Sequence, residues 1–387
     1  MNPAQLAPFT IAVPDEELRD LAERLARTRF PPPLPGDDWD TGVPVAYLRE
    51  LVEYWHTGYD WRAAEQAIND WSQFITRIDG TRIHFLHVRS PHPGALPLLL
   101  THGWPGSVAE FLDIIGPLTD PSRHGGEPAD AFHVVVPSLP GFGFSGPVPD
   151  AGWDTDRIAR AWAELMRRLN YHRYGVHGGD IGAAVSPAVA RAAPGHVVGV
   201  HVNGSLGMPG PDTPQADLAA LTDLERGRVA QVQAFMREQY GYIAIQSTRP
   251  QTLAAALADS PAGQLAWILD KFREWTYPRQ ALPDTVIGRD RLLTNVMIYW
   301  LTRTAGSAAY VGYAQPPPGP PPGPSGVPTA AIMFAHDVGI RRYAGTSNNI
   351  TTWTDIDHGG HFAALEEPGL LTSHIRTFFR DLRPATT

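Results

Sequence analysis

One short stretch of the sequence, VHGGDIGAAVS at residues 176–186, places a carboxylate where nucleophilic chemistry could occur. Its centre, GGDIG, has the small-x-nucleophile-x-small spacing of a sharp strand-to-helix turn, which in many enzymes presents a serine. Here the central residue is Asp180. A carboxylate can attack a carbon atom and form an ester that stays attached to the protein. The alternative is that Asp180 only caps a helix beginning at Ile181, a common role of aspartate.

Two further residues could complete a catalytic set with Asp180. Asp337 stands two residues after a predicted strand at 330–335, and His361 follows a predicted strand at 350–354. The chain order nucleophile, acid, histidine is that of the α/β-hydrolase triad. Either residue taken alone would more often be a surface or capping residue. Their joint placement after successive strands favours a triad.

Two glycine-rich segments suggest further functions. HGWPG at residues 102–106 directly follows a strand ending at Thr101, where such folds keep a backbone N–H for an oxyanion, although a plain turn is the alternative. GFGFSG at 141–146 matches the dinucleotide pattern GxGxxG. PSLP separates it from its strand and PVP follows it, so no helix N-terminus is available for a pyrophosphate. We therefore reject a dinucleotide site.

The elements that must position these residues alternate between strand and helix patterns. Short apolar or alternating runs predict strands, and longer amphipathic runs predict helices. The predicted strands lie at 81–88, 96–101, 132–136, 174–176, 330–335 and 350–354. The predicted helices include 15–29, 181–192, 221–240, 292–301 and 368–382. This alternation predicts an α/β protein with a mostly parallel sheet flanked by helices.

The pattern also predicts the organisation of the chain. Strand signals are absent from about residue 207 to residue 313, which predicts an inserted helical lid, and a proline-rich surface loop follows it. The predicted divisions are an N-terminal meander (1–75), a first core part (76–206), the lid (207–315), the loop (316–326) and a second core part (327–387).

Composition excludes several classes of function. The 387 residues are 43% apolar and carry a net charge of −9 without a basic run, which argues against nucleic acid and anionic membranes as partners. Cysteine is absent, so disulfides and thiolate chemistry are excluded. The N-terminus lacks the pattern of a secretion signal and no apolar run is long enough to span a bilayer, so we expect a cytoplasmic protein.

Six segments together resemble the microsomal-type epoxide hydrolases: HGWPGS, SLPGFGFSGP, HGGDIGA, GYIAIQSTRP, LLTNVMIYWLTRTAGS and HGGHFAALEEP. The similarity extends over nearly the whole chain, including the N-terminal meander. It implies an α/β-hydrolase fold with a helical lid, and hydrolysis of epoxides to vicinal diols with no cofactor. No metal site is predicted.

The resemblance implies roles for individual residues. Asp180 matches the family's nucleophile, His361 its base and Asp337 its acid. Asp180 would open the epoxide and form an alkyl ester, and water activated by His361 would cleave that ester. Backbone N–H groups of Trp104 and Ile181 would hold the oxyanion. A serine would instead give an ether, which this water could not cleave.

The sequence departs from the family pattern at three places. Ile181 stands where many relatives have tryptophan, and the hydrophobic membrane anchor of the family's namesake is missing. The segment 334–337 lacks the proline usual in the acid motif, so Asp355 and Asp357 stay as alternatives to Asp337.

The family also uses two lid tyrosines that donate hydrogen bonds to the epoxide oxygen. Tyr242 in GYIAIQSTRP matches the first. The position of the second is Gly312 in this sequence, with Tyr310 and Tyr313 on either side. We choose Tyr310 as the second donor and keep Tyr313 as the alternative. A tyrosine that only packs the lid is the simpler interpretation of each.

Two other functions remain open at this point. A haloalkane dehalogenase also uses an aspartate nucleophile, but Ile181 removes a usual halide-binding indole and the meander argues against that class. A non-catalytic, ligand-binding relative of the α/β-hydrolases is the second alternative. The expected partners are water and a small apolar or aromatic epoxide, because the lid contains Trp267, Phe272, Trp275 and Tyr277. We also consider a role in secondary metabolism or detoxification, and a homodimer.

Overall fold

The computed structural model describes residues 6–36, 38–210, 213–316 and 322–383. Within them, nine strands form one sheet in the order β1-β2-β3-β5-β4-β6-β7-β8-β9. The strands are β1 (Ala7–Phe9), β2 (Gln73–Ile78), β3 (Thr81–Val88), β4 (Leu96–Thr101), β5 (Phe132–Pro137), β6 (Tyr174–Gly178), β7 (Val197–Asn203), β8 (Pro328–Met333) and β9 (Asn349–Asp355). Strands β1, β2, β3 and β5 pair antiparallel, and the pairs from β5 through β9 are parallel.

Helices cover both faces of the sheet and form a separate layer above one edge. Those outside the lid are α1 (Asp15–Ala26), α2 (Val45–Thr57), α3 (Trp61–Asn69), α4 (Leu112–Thr119), α5 (Thr155–Arg168), α6 (Ile181–Ala192), α15 (Arg341–Ala344), α16 (Ala363–Glu366) and α17 (Pro368–Arg380). Those between β7 and β8 are α7 (Gln215–Ala219), α8 (Asp223–Glu238), α9 (Gly241–Thr248), α10 (Pro250–Asp259), α11 (Pro261–Trp275), α12 (Pro283–Val286), α13 (Arg289–Thr302) and α14 (Ala305–Ala314). Short 3₁₀ turns connect several of them.

The central strands explain why the fold has two apolar layers. Every residue of β4 and of β6 is buried. A strand of a parallel sheet buries side chains on both faces, so continuous apolar runs are expected there. Two clusters of buried side chains result, one of them centred on α4 and α17 and the other extending into the lid. The predicted α/β-hydrolase architecture is confirmed.

Hydrogen bonds connect the N-terminal segment to the lid. The hydroxyl groups of Tyr47 and Tyr54, both on α2, donate to Asp284 and Asp290 respectively. The Trp55 indole lies 3.2 Å from the sulfur of Met297 on α13. The meander therefore supports the lid helix that approaches the candidate site.

The predicted bounds of β3, β4 and α6 match the structure. Strands β1, β2 and β7 were not predicted: β1 has three residues, and β2 and β7 carry polar residues within the strand. The proposed division at residue 75 falls inside β2, so the meander contributes strand residues to the sheet. Part of the predicted proline-rich loop, 317–321, lies outside the described residues. Among the described helices, none is long and apolar enough to cross a bilayer.

Candidate active site

Asp180 occupies a strained turn between β6 and α6. Its backbone has φ 52° and ψ −120°, a conformation that residues other than glycine rarely adopt. A Cβ atom at Gly178 would come within 2.4 Å of the Gly182 backbone, and one at Gly182 within 2.0 Å of the carbonyl oxygen of Thr101. The glycines are therefore required by close approach. Although Asp180 stands at the N-cap of α6, its side chain makes no capping hydrogen bond, so the capping interpretation does not explain it.

Backbone N–H groups bind the Asp180 carboxylate. The N–H of Trp104 donates to Oδ1 over 2.9 Å, and the N–H of Ile181, the next residue, also stabilises the charged carboxylate. Burial alone would raise the pKa of Asp180, but the hydrogen bonds from His361 and from these two N–H groups hold that pKa below its usual value. A Cβ at Gly103 would lie 2.2 Å from Oδ1, so only glycine fits there. The two N–H groups predicted to stabilise the oxyanion, those of Trp104 and Ile181, therefore lie beside the Asp180 carboxylate.

Lid helix α13 holds the turn at residues 102–106, which carries the Trp104 N–H. The Asn295 amide donates to the carbonyl oxygen of Pro105 over 2.7 Å, and the Tyr299 hydroxyl donates to that of Gly106 over 2.7 Å. Both side chains are buried. Two residues of the motif LLTNVMIYWLTRTAGS thus fix the position of the turn at residues 102–106.

His361 faces the nucleophile. Its Nε2 lies 3.4 Å from Oδ2 of Asp180, and its backbone N–H donates to the carbonyl oxygen of Trp275 over 2.9 Å. The ring packs against Trp275 at 5.0 Å and Phe362 at 5.1 Å between centroids. Burial favours neutral imidazole, but the adjacent Asp180 carboxylate raises the pKa of His361 above its usual value. The histidine and the nucleophile are therefore electrostatically coupled.

Asp337 lies in the loop after β8 and is 3% exposed. Its Oδ2 accepts a hydrogen bond from the Phe334 N–H over 3.0 Å, and its buried Oδ1 has no hydrogen-bond partner among the described residues. Burial raises the pKa of Asp337 to about 6, although the positive field of His361 opposes this shift. Oδ1 is thus an acceptor available to the histidine.

The two alternative acids occupy other environments. Asp355 accepts a hydrogen bond from Arg228 over 2.7 Å. Asp357 has a fully exposed side chain and bonds only the neighbouring His358 among the described residues. Neither lines a cavity with Asp180, so the placement favours Asp337 as the acid.

Tyr242 lies on α9 and lines the same two cavities as the nucleophile. Its ring stacks on Trp104 with centroids 4.9 Å apart and contacts Trp275 at 5.6 Å. Burial raises the pKa of Tyr242 far above its usual value, and the Asp180 charge adds to this shift. The phenol therefore keeps its proton and can donate it in a hydrogen bond.

The structure does not bring Tyr310 to the nucleophile, and this choice requires correction. Tyr310 and Tyr313 stack on each other at 5.4 Å and line a surface cleft with the segment 147–150. Tyr313 is 52% exposed. The face of α14 that borders the Asp180 cavity instead carries Ala308, Val311 and Gly312. The helical phase of α14 turns both tyrosines away from the site.

Two large cavities meet at Asp180 and Tyr242. One, of about 890 Å³, is bordered by His361, Asp337, lid helix α8 and the end of α11. The other, of about 380 Å³, lies between α6, α9 and α14. Of the predicted lid aromatics, Trp275 and Tyr277 line the larger cavity, whereas Phe272 is buried against Phe362.

Sequence reasoning missed Gln246, which lies one helical turn after Tyr242 on α9. Its side chain is 7% exposed and lines the smaller cavity together with Asp180. Its amide Nε2 is buried and has no hydrogen-bond partner among the described residues. The i, i+4 spacing from Tyr242 was a signal that both side chains share one helix face.

Two partly buried glutamates were also missed. Glu110 lies against Gly106, where a Cβ would be 1.2 Å from its Oε1, and burial raises the pKa of Glu110 to about 8. Glu366 accepts hydrogen bonds from the N–H groups of Tyr277 at 2.8 Å and Phe362 at 3.0 Å, and burial raises the pKa of Glu366 to about 7. No simple spacing rule connects either residue with Asp180.

Comparison with known proteins places this geometry in a family. Residues 6–111 match the family model of the epoxide hydrolase N terminus, and residues 97–280 match that of the alpha/beta hydrolase fold. An epoxide hydrolase-like protein of Stigmatella aurantiaca is 46% identical over 98% of this chain and 86% of its own length. The chain belongs to the epoxide hydrolase family. Epoxide hydrolase 1 of Sus scrofa is 35% identical to the enzyme, over 96% of this chain and 88% of its own length.

Solved structures agree with this assignment. The juvenile hormone epoxide hydrolase of the silkworm Bombyx mori matches the enzyme with a TM-score of 0.88 and 29% identity, covering 98% of this chain and 95% of that one. The Aspergillus niger epoxide hydrolase matches with a TM-score of 0.84 and 30% identity over 98% and 97% of the two chains. The resemblance to the microsomal-type enzymes, including their N-terminal segment, is confirmed. That segment also favours an epoxide hydrolase over the dehalogenase considered above.

Proposed function

We propose that this enzyme converts an apolar epoxide into a vicinal diol through an ester formed on Asp180. The main support is the arrangement of the Asp180 carboxylate, which lines both large cavities. Its Oδ1 accepts the Trp104 N–H, and its Oδ2 faces His361. One oxygen is therefore bound in position for an oxyanion, and the other is available for attack.

In the first step, Oδ2 of Asp180 attacks an epoxide carbon, a carbon–oxygen bond forms and the ring carbon–oxygen bond breaks. The leaving alkoxide needs a hydrogen-bond donor, since it is strongly basic. Tyr242 provides one and transfers its proton to the alkoxide. Because Tyr310 is turned away, we assign the second donor to the unpaired amide of Gln246, which lines the same cavity.

In the second step, His361 removes a proton from water, which attacks the Asp180 carboxyl carbon. The developing charge on Oδ1 is stabilised by the N–H groups of Trp104 and Ile181. Ester formation removes the negative charge that raises the pKa of His361, so the imidazole becomes available as a base. Asp337 would accept the Nδ1 hydrogen of His361 through its free Oδ1 and stabilise the imidazolium. The proton then passes to the departing alkoxy oxygen, which releases the diol. The second hydrogen of the water, left on the new Asp180 carboxyl group, returns to the Tyr242 phenolate and restores both groups for the next turnover.

The two cavities support an epoxide with apolar substituents on both sides of the ring. Val232 and Phe235 contribute to the wall of the larger cavity, and Ala308 and Val311 to that of the smaller. A substrate whose ring lies at Asp180 would extend into both. The homodimer and the cytoplasmic location stay predictions.

A single turnover in ¹⁸O-labelled water, with enzyme in excess, tests the ester. We expect the first diol formed from styrene oxide to contain unlabelled oxygen from Asp180, and later turnovers to incorporate the label. The variant His361→Gln should form the ester and stop, and the adduct should be visible by mass spectrometry. Labelled oxygen in the first diol would rule out Asp180 as the nucleophile. Unimpaired turnover by His361→Gln would rule out His361 as the base.

A parallel incubation with 1-chlorohexane separates the remaining functions. The proposed enzyme should release no chloride while it forms the diol from styrene oxide. Chloride release would support a dehalogenase. Binding of styrene oxide without either product would support a ligand-binding protein.

A further inference from the structure

Three histidines form a hydrogen-bonded chain beneath the nucleophile. His177 on β6 and His201 on β7 are register partners, and their Nδ1 atoms lie 2.9 Å apart. The Nε2 of His201 lies 2.8 Å from Nδ1 of His374 on α17, and Nε2 of His374 lies 3.0 Å from the Thr354 hydroxyl on β9. The chain therefore runs from the centre of the sheet to its last strand.

The inner end of this chain is free. Nε2 of His177 is buried without a hydrogen-bond partner among the described residues, and the side chain is 1% exposed. His177 lines a small cavity of about 20 Å³ together with Asp180, His361 and Glu110. This volume is enough for about one water molecule, and the lining supplies the polar partners that a buried water requires.

The chain determines how His177 can bind such a water. Burial lowers the pKa of His177 to about 3 and that of His201 well below its usual value, so both are neutral at pH 7. A neutral imidazole has one donor and one acceptor nitrogen. If the Thr354 hydroxyl donates to His374, each ring in turn donates to the next, and His177 carries its hydrogen on Nε2. The opposite direction would make Nε2 an acceptor.

We propose that this cavity holds the water that hydrolyses the ester, and that His177 positions it by donating a hydrogen bond from Nε2. The inference rests on the proposed two-step function. The water gives its reacting proton to His361, and its other hydrogen faces Glu110. Because both hydrogens of the water then donate, the water can only accept a hydrogen bond from His177. Nε2 of His177 must therefore carry a hydrogen. The water oxygen bonds the Asp180 carboxyl carbon as that carbon's bond to the alkoxy oxygen breaks, and His361 returns the proton to the alkoxide.

Single-turnover kinetics of His177→Leu test this role, because they separate ester formation from ester hydrolysis. We expect ester formation to stay within about twofold of the wild type. Hydrolysis should slow about tenfold, the loss expected from one hydrogen bond to a neutral group. The ester should accumulate in the steady state. His374→Leu keeps His177 but removes the hydrogen bonds that fix which ring nitrogen of His201, and hence of His177, carries the hydrogen. We expect a smaller fall in the rate of ester hydrolysis than in His177→Leu.

A matched control is His84→Gln. His84 is a fully buried histidine on β3 with both ring nitrogens hydrogen-bonded, and it lines neither the small cavity nor the two large ones. Its loss should leave the ratio of the two rates unchanged. A crystal structure of the wild type should contain a water within hydrogen-bond distance of His177 Nε2.

Several results would overturn the proposal. These are an unchanged hydrolysis rate in His177→Leu, an equal fall of both rates in it, or a dry cavity in the crystal. If His177→Leu does not fold, an unchanged rate ratio in His374→Leu has the same meaning. Failure of the wild type to form an ester would instead refute the two-step function, so the two failures are distinguishable.

Discussion

The residues that would activate the epoxide oxygen can be tested one at a time. Tyr242→Phe removes a donor that lines the same two cavities as Asp180, and we expect ester formation to slow about 10²- to 10³-fold, as for loss of an oxyanion donor. Hydrolysis of the ester should change little, since the phenol takes no part in water activation. Stopped-flow measurement of both steps with styrene oxide gives the answer. An unchanged rate of ester formation would contradict the assignment of Tyr242.

The second donor makes a separate prediction. Gln246→Leu replaces the unpaired amide by an apolar group of similar size, and we expect ester formation to slow about tenfold. Tyr310→Phe is the control, because Tyr310 lines the cleft away from Asp180 and its hydroxyl should not affect either step. Slow ester formation in Tyr310→Phe, together with a normal rate in Gln246→Leu, would identify Tyr310 as the second donor and exclude the Gln246 amide.

At the scale of elements, Glu366 on α16 joins the end of α11 to the loop of His361. Its carboxyl group accepts the N–H groups of Tyr277 and Phe362, and Gly360 leaves room for it, since a Cβ there would lie 2.5 Å from both oxygens. We expect Glu366→Ala to lower the free energy of unfolding by about 1–3 kcal/mol, because two backbone N–H groups, that of Phe362 partly buried, lose their acceptor. Urea denaturation measures this. Glu367→Ala, at the adjacent residue, should have little effect, because among the described residues no backbone N–H donates to the Glu367 carboxyl group. Equal losses in both variants would contradict the role.

Elements with clear periodicity could be predicted from the sequence, together with the residues at their ends. Asp180, Asp337 and His361 each follow a strand of the parallel part of the sheet, and the order of these strands along the chain brings their ends together. The phase of α14 could not be judged from tyrosines alone. Its cavity-facing positions 308, 311 and 312 share one face of the helix, but the Ala, Val and Gly found there carry no chemical signal. Strand β7 was not predicted because two of its residues, His201 and Asn203, are polar although both are buried.

At the scale of the whole molecule, buried titratable groups make stability depend on pH in two opposite ways. Among the described residues, five histidines have folded-state pKa values of about 3 to 4 because of burial: His84, His87, His102, His177 and His336. The unfolded chain binds protons at these sites below pH 6.5, so their contribution is present above that pH and lost as the pH falls. Each loses up to about 1.4 kcal/mol per pH unit.

Three carboxyl groups act in the opposite direction. Burial raises the pKa of Glu110 to about 8, of Glu366 to about 7 and of Asp337 to about 6. The folded protein binds protons at these sites before the unfolded chain does. Stability therefore rises as the pH falls from about 8 through these values, until the unfolded carboxyl groups are protonated as well.

The two sets predict a stability maximum near pH 6 to 6.5. Above it the carboxyl groups dominate, and below it the five histidines outnumber the three carboxyl groups. Urea denaturation at pH 5, 6.25 and 8 should give the highest midpoint at pH 6.25. The double variant Glu110→Gln/Glu366→Gln should flatten the alkaline side, and a steady increase of the wild-type midpoint from pH 5 to pH 8 would contradict the prediction.

The small residues on the inner face of α14 make one wall of the active site adjustable. Nothing lies within 4 Å of the Cβ position of Gly312, and that glycine borders the smaller cavity beside Asp180. A Cβ atom at position 312 therefore has room, and we expect side chains of graded size there to narrow this cavity beside Asp180. For protein engineering, we expect substitutions at this position to change which enantiomer and which ring carbon are presented for attack.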